Sequence, residues 1–92
     1  MINMDIRTLR YFQTVAREAS FTRAAEALHM AQPAVSMSIK RLEQQLDLQL
    51  FHRHDRKISL TDEGQRLLHH ADKILQATAD AQLEMKELTG LN

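Results

Sequence analysis

The sequence predicts a mainly α-helical fold with a two-stranded hairpin and one long terminal helix, and three observations carry that reading. Residues 20–40 hold two amphipathic segments joined by a short turn: Phe21, Ala24, Ala25 and Leu28 recur at helical intervals, and so do Val35, Ile39, Leu42 and Leu46. Two short apolar runs, 48–51 and 58–60, bracket the charged stretch 52–57 and read as a hairpin. From Thr61 onward, Leu67, Ala71, Ile74, Thr78, Ala81, Met85 and Leu88 repeat at 4, 3, 4, 3, 4, 3, a sustained heptad seam. The order helix, helix–turn–helix, hairpin, long helix is that of a winged helix-turn-helix (three helices plus a two-stranded wing) followed by a dimerisation helix. We expect the winged unit over residues 4–61, with the helix-turn-helix about 21–40 and the wing about 50–60. The pairing helix is expected over 62–92.

Composition bounds the function. Ninety-two residues allow one small domain, or one domain plus an extension. A chain of that size buries a modest share of its surface, so support from a dimer is expected. There is no cysteine, which excludes disulfides and thiolate zinc sites and fits a reducing cytoplasm. No apolar run approaches a membrane span, and the N-terminus does not have the form of a signal peptide. Aromatic content of 4% argues against single-strand binding by base stacking. The net charge of zero conceals a polarity: residues 1–60 hold nine Lys and Arg against six Asp and Glu, whereas 61–92 hold three against six. A basic head suits phosphate contact, and an acidic stalk is kept off a duplex.

Taken in order, residues 1–4 form a short lead. Asp5 can cap a first helix expected over 6–19, with Leu9, Phe12, Val15, Ala16 and Ala19 as its buried stripe. That helix backs the following pair, and Arg7, Arg10 and Arg17 on its outer side are expected to serve solubility, with a phosphate contact as the lesser alternative. Ser20 can cap the second helix through its hydroxyl. Ala25 is small where the paired helices should cross most closely. His29 must turn the chain, by a left-handed backbone that His tolerates better than most residues. Met30 then plugs the turn into the core, and Pro33 fits the first turn of the third helix, where its missing N–H costs nothing.

The third helix buries Val35, Ile39, Leu42 and Leu46. Pro33, Met37, Lys40 and Gln44 point the other way, flanked by Ser36 and Arg41. This outer face offers amide, hydroxyl and methyl groups that suit base edges, and its N-terminus suits phosphate. The bland alternative is a solvated helix face; the turn spacing ahead of it favours DNA reading in the major groove. In the wing, Arg56 at the apex is the candidate for minor-groove insertion, with Arg53 and Lys57 as candidates for phosphate; the alternative is a solvated charged loop. The surface expected to meet a duplex therefore comprises Ser20, Thr22, Arg23, Gln32, Pro33, Ala34, Ser36, Met37, Lys40, Arg41, Arg53, Arg56 and Lys57.

Thr61 can cap the last helix, and Asp62 and Glu63 suit its positive end. Gly90 marks its stop. A helix of roughly 28 residues spans about 42 Å at 1.5 Å per residue. With no later element to cover it, its seam is expected to pair with a second chain through Leu67, Leu68, Ala71, Ile74, Leu75, Thr78, Ala81, Met85 and Leu88. The alternative is that it folds back on its own domain, which its length disfavours beyond the first two turns.

His52 and His54 could share one face of a strand, whereas adjacent His69 and His70 diverge on a helix; no thiol or carboxylate set completes a metal site around either pair. There is no Gly-rich phosphate loop and no nucleophile set against a base and an orienting acid. Neither a cofactor, a metal nor an enzymatic activity is expected.

Several motifs, in order and at matching separations, give the chain a resemblance to a known family. They are Leu9-Arg10-Tyr11-Phe12, the run Ser20 through Leu28, Gln32-Pro33-Ala34-Val35-Ser36, Leu42-Glu43, Leu50-Phe51-His52-Arg53 and Leu60-Thr61-Asp62-Glu63-Gly64. The sequence resembles the DNA-binding half of the LysR-type transcriptional regulators of bacteria, from near Met4 through the long helix. The resemblance implies that Gln32, Pro33 and Ser36 approach bases and phosphates, with Arg56 at the wing, and that linker helices pair antiparallel. It further implies a C-terminal small-molecule sensing domain and frequent tetramers in full chains. This sequence is accordingly expected to be the DNA-binding fragment of a longer cytoplasmic regulator, lacking the effector response. Two departures stand out. Asp47 occupies a position where the family usually has Gly, so the turn should survive with a less favourable cap. Met37 stands where the family commonly has Arg, removing a bidentate guanine contact worth about 1–3 kcal/mol and leaving apolar contact to a thymine methyl.

The expected function is sequence-specific binding of double-stranded DNA by a homodimer, at an interrupted inverted repeat with half-sites roughly 34–36 Å apart. Two rivals are a protein-interaction module with no DNA role and a non-specific architectural binder using phosphate and wing contacts alone. The first predicts no salt-dependent duplex binding, and the second predicts equal binding to all duplexes.

Overall fold

Every helix begins after a residue that can hold its open end, or carries a proline in its first turn that lessens the need. The computed structural model describes residues 4–54 and 57–90. Its elements are α1 (Ile6–Glu18), α2 (Phe21–Leu28), α3 (Gln32–Leu46), β1 (Phe51–His54), β2 (Lys57–Leu60) and α4 (Asp62–Thr89). Asp5 accepts the Thr8 N–H at 2.8 Å, and that bond holds its carboxyl below the ordinary carboxylate range. Ser20 accepts from the Arg23 N–H at 3.1 Å, and Thr61 from the Gly64 N–H at 2.9 Å. Ala31 before α3 offers no side-chain cap, but Pro33 in the first turn removes one orphan donor.

The helix ends are left-handed, and three of the four lack glycine. Ala19, His29 and Asp47 have φ of 51, 55 and 56°, and Gly90 has 74°. His29 and Asp47 turn the chain as their positions require. At the His29 turn the Met30 N–H reaches back to the Ala25 carbonyl at 2.9 Å, and Met30 packs against the core. Ala19 is a correction. Instead of closing the buried stripe of α1 it is exposed and ends the helix, its N–H bonding the Val15 carbonyl at 2.9 Å. A left-handed alanine costs roughly 1–2 kcal/mol, so the packing of α1 against α2 must hold it.

That packing forms one core. Leu9, Phe12 and Val15 of α1 meet Ala24 and Ala25 of α2, Val35, Ile39 and Leu42 of α3, Leu50 and Phe51 at the hairpin, and Ala71 of α4. Phe51 is its aromatic hub, with ring centroids 5.5 Å from Phe12 and 6.0 Å from Phe21.

The first strand of the hairpin lies later in the chain than expected. β1 and β2 pair antiparallel from Phe51 opposite Leu60 to His54 opposite Lys57, so the expected first strand at 48–51 is corrected to 51–54. The cause is the local supply of partners. The Leu48 N–H is still tied to the Glu43 carbonyl at 3.1 Å as part of the α3 cap. The Gln49 carbonyl accepts from the Thr61 hydroxyl at 2.7 Å, and the Leu50 N–H donates to the Glu43 carboxylate at 2.8 Å. The Leu48 and Leu50 N–H groups and the Gln49 carbonyl are thus engaged elsewhere, and the ladder begins at Phe51.

Helix α4 starts in that junction. Gly64 packs so closely that a Cβ there would lie 2.2 Å from the Leu50 carbonyl oxygen. Its next turns lie on α1: Ala71 and Leu75 are 0% and 6% exposed, and Asp72 accepts from Gln13 at 2.7 Å and Arg17 at 3.2 Å. This corrects the expected seam. Ala71 and Leu75 belong to the chain's own core, and Leu67 and Leu68 pack partly against it. Fold-back thus extends past the first two turns. Beyond it the helix projects, and residues 79–90 are all exposed. Among the described residues no helix is long and apolar enough to cross a membrane.

Candidate nucleic-acid interface

One surface gathers much of the expected binding set. Burial of Val35, Ile39 and Leu42 turns the opposite face of α3 outward, leaving Gln32, Pro33, Ala34, Lys40 and Arg41 exposed and Met37 at 59% exposure. Ser36 is half-buried at the edge of this face. The N-terminus of α2 stands alongside, with Thr22 and Arg23 exposed. A cleft of about 400 Å³ separates α2, α3 and the wing; Ser20, Thr22, Ser36, Arg53 and Lys57 line it. A second hollow on the wing side of α3 is lined by Ser36, Lys40, Gln44, Gln49 and Arg53. At 100° per residue, Ala34 and Arg41 fall on the flank of α3 away from Ser36. Ser20 is half-buried, and its hydroxyl is already engaged in capping.

Arg53, expected to contact phosphate, already has partners within the chain. Strand alternation puts it on the Phe51 side of β1, with its side chain 40% exposed. Its Nη2 donates to Glu43 at 3.0 Å, its Nη1 reaches Gln49 at 3.5 Å, and its guanidinium lies 5.6 Å from the centroid of the Phe21 ring. Lys57 remains exposed. Arg56, the residue expected at the minor groove, lies outside the described residues. On the outward face of β1, His52 and His54 stack with centroids 5.7 Å apart. Among the described residues no three His, Cys, Asp or Glu side chains are grouped as metal ligands.

Glu43 is the organising residue that pattern reading passed over. It is 6% exposed and accepts from the Leu50 N–H at 2.8 Å, the Phe51 N–H at 3.3 Å and the Arg53 guanidinium. These bonds fasten the wing to α3. The available signal was an acid inside the buried stripe Val35–Ile39–Leu42–Leu46, with an arginine ten residues on: a carboxylate on a dry face needs partners.

On α4, the part of the seam left accessible comprises Ile74, Ala81, Met85 and Leu88, with Thr78 half-buried. Leu83, outside the expected set, is also exposed.

A three-helix head with an antiparallel wing beside its third helix defines the winged helix-turn-helix class. Within it, the model of the bacterial regulatory helix-turn-helix proteins of the lysR family matches residues 6–65, and the chain belongs to that family. The transcriptional regulator CfxR of Cupriavidus necator is 52% identical over 79 residues, covering 86% of this chain and 25% of the relative. The BenM DNA-binding domain in complex with benA site 1 DNA superposes with a TM-score of 0.82 at 40% identity, over 94% of this chain and 99% of that one. The CbnR DNA-binding domain in its DNA complex gives 0.84 at 31% identity, again over 94% and 99%. The chain spans 25 to 30% of the length of the first curated relatives it matches. It carries the LysR-type helix-turn-helix DNA-binding domain.

Proposed function

We propose that the chain reads double-stranded DNA by sequence, as a homodimer, on behalf of a transcriptional regulator. The observation that carries this reading is the outer face of α3, where Gln32, Pro33, Met37 and Lys40 stand exposed beside Ser36, over a fully buried opposite face. Gln32 and Ser36 supply hydrogen-bonding groups for base edges, Met37 an apolar contact, and Lys40 and Lys57 charge for phosphate. The basic head, up to Thr61, does the reading; α4 completes its core and pairs two copies through its projecting half. Two paired heads would engage an interrupted inverted repeat with half-sites roughly 34–36 Å apart. Action on chromosomal DNA would take place in the cytoplasm, and response to a small-molecule effector would belong to a sensing domain of the intact regulator.

The test is a titration of duplexes with Gln32→Ala and Ser36→Ala. Each is expected to lose about 1–3 kcal/mol of discrimination for the preferred duplex, with random-sequence binding little changed. Equal loss on all duplexes would favour shape reading through the backbone instead.

A further inference from the structure

We propose that Arg53 is a positioning residue: it locks the wing to the recognition helix as one rigid reading surface and does not anchor phosphate. The inference rests on the DNA-reading function above. Three contacts converge on the one guanidinium: Glu43 at 3.0 Å, Gln49 at 3.5 Å and the Phe21 ring at 5.6 Å. They belong to α3, the α3–β1 connection and α2, so Arg53 ties the wing to both helices of the motif. Glu43 is nearly sealed from solvent, and its other oxygen holds the backbone of Leu50 and Phe51, where β1 begins. Reaching out of the cleft to a phosphate would take the guanidinium away from this carboxylate and leave it buried with a missing partner, which is costly. Lys57, exposed on β2 and lining the same cleft, has no such commitment among the described residues and is the natural cation for phosphate at that edge.

The planar fork matters because lysine cannot bridge two acceptors and stack on a ring at once. This separates the two roles. For a phosphate anchor, Arg53→Lys keeps the charge and preserves binding, whereas Arg53→Gln lowers the slope of log affinity against log salt by about one contact. For a positioning residue, Arg53→Lys loses binding although the charge remains. Glu43→Gln provides an opposed arm. If Glu43 merely restrains a phosphate arm, removing its charge frees Arg53 and tightens binding; if the pair positions the wing, binding weakens.

The experiment is fluorescence titration of the whole chain against a duplex selected from a random pool, across a salt series, for wild type, Arg53→Lys, Arg53→Gln, Glu43→Gln and Lys57→Gln. Helical circular dichroism and the melting temperature confirm that each variant is folded. Where Glu43→Gln melts out, Arg53→Lys decides, since it leaves the buried carboxylate and its two backbone donors in place. The result expected is a loss of about tenfold in Arg53→Lys with the salt slope kept, a similar loss in Glu43→Gln, and a reduced slope only in Lys57→Gln. Wild-type binding by Arg53→Lys, or tighter binding by Glu43→Gln, overturns the proposal while leaving the DNA-reading function intact. Absence of salt-dependent duplex binding by the wild type overturns both.

Discussion

Residue identities at the reading face set what can be distinguished on DNA. Met37 is 59% exposed on the outer side of α3, and a thioether can contact a thymine methyl but cannot bridge guanine O6 and N7 as an arginine fork does. Met37→Arg is therefore expected to raise the preference for guanine at the facing step by about 1–3 kcal/mol, measured by competition between duplexes differing at that base pair. No change in preference would mean that this position does not face a base. At the same scale, the positions most legible in the sequence were those with a geometric demand. His29 was readable as the left-handed turn because four residues separate it from Ala25 at a tight helix crossing. Glu43 was not readable in its role, since its partners Leu50, Phe51 and Arg53 come from a segment whose path the sequence pattern does not specify. The pairing of Arg53 with Glu43 is hidden for the same reason: counting charges finds cations, but only the fold reveals which are already paired.

At the scale of elements, helices were legible because a 3.6-residue period and a cap are local properties. Asp5, Ser20 and Thr61 cap as their chemistry dictates. The first strand is displaced because its start depends on which distant groups engage residues 49 and 50, and Thr61 and Glu43 claim them first. The entry of α4 is built on the close approach of Gly64 to the Leu50 carbonyl. Gly64→Ala gains up to about 1 kcal/mol of helix propensity. The added Cβ would meet the backbone oxygen at 2.2 Å and Leu60 Cδ2 at 2.9 Å, and a backbone group cannot move aside as a side-chain tip can. The clash should win, with a net destabilisation of about 1–3 kcal/mol in urea unfolding. An unchanged or raised midpoint would show that α4 enters at a different height.

At the scale of the molecule, the chain is elongated, with extents of 50 × 27 × 21 Å, because α4 outruns the head it helps to complete. The heptad seam was legible as a period, yet a period does not say which neighbour fills it. One side of the first half of α4 is claimed by α1 through Ala71, Asp72 and Leu75, which leaves Ile74, part of Thr78 and the projecting half for a partner. Met85 and Leu88 are 52% and 74% exposed there. A double Met85→Lys, Leu88→Lys variant should keep its melting temperature at low concentration but lose dimer mass by light scattering. Retention of the dimer would place the pairing surface elsewhere.

The central claim is that two such heads read a symmetric DNA sequence, and selection of bound duplexes from a random pool at two salt concentrations tests it most directly. The result expected is enrichment of a two-fold symmetric site whose half-sites lie about one helical turn apart, roughly 10–10.5 base pairs, with enrichment sharpening at the higher salt as non-specific phosphate binding falls away. Retention of all sequences alike, or of none at either salt, would contradict it.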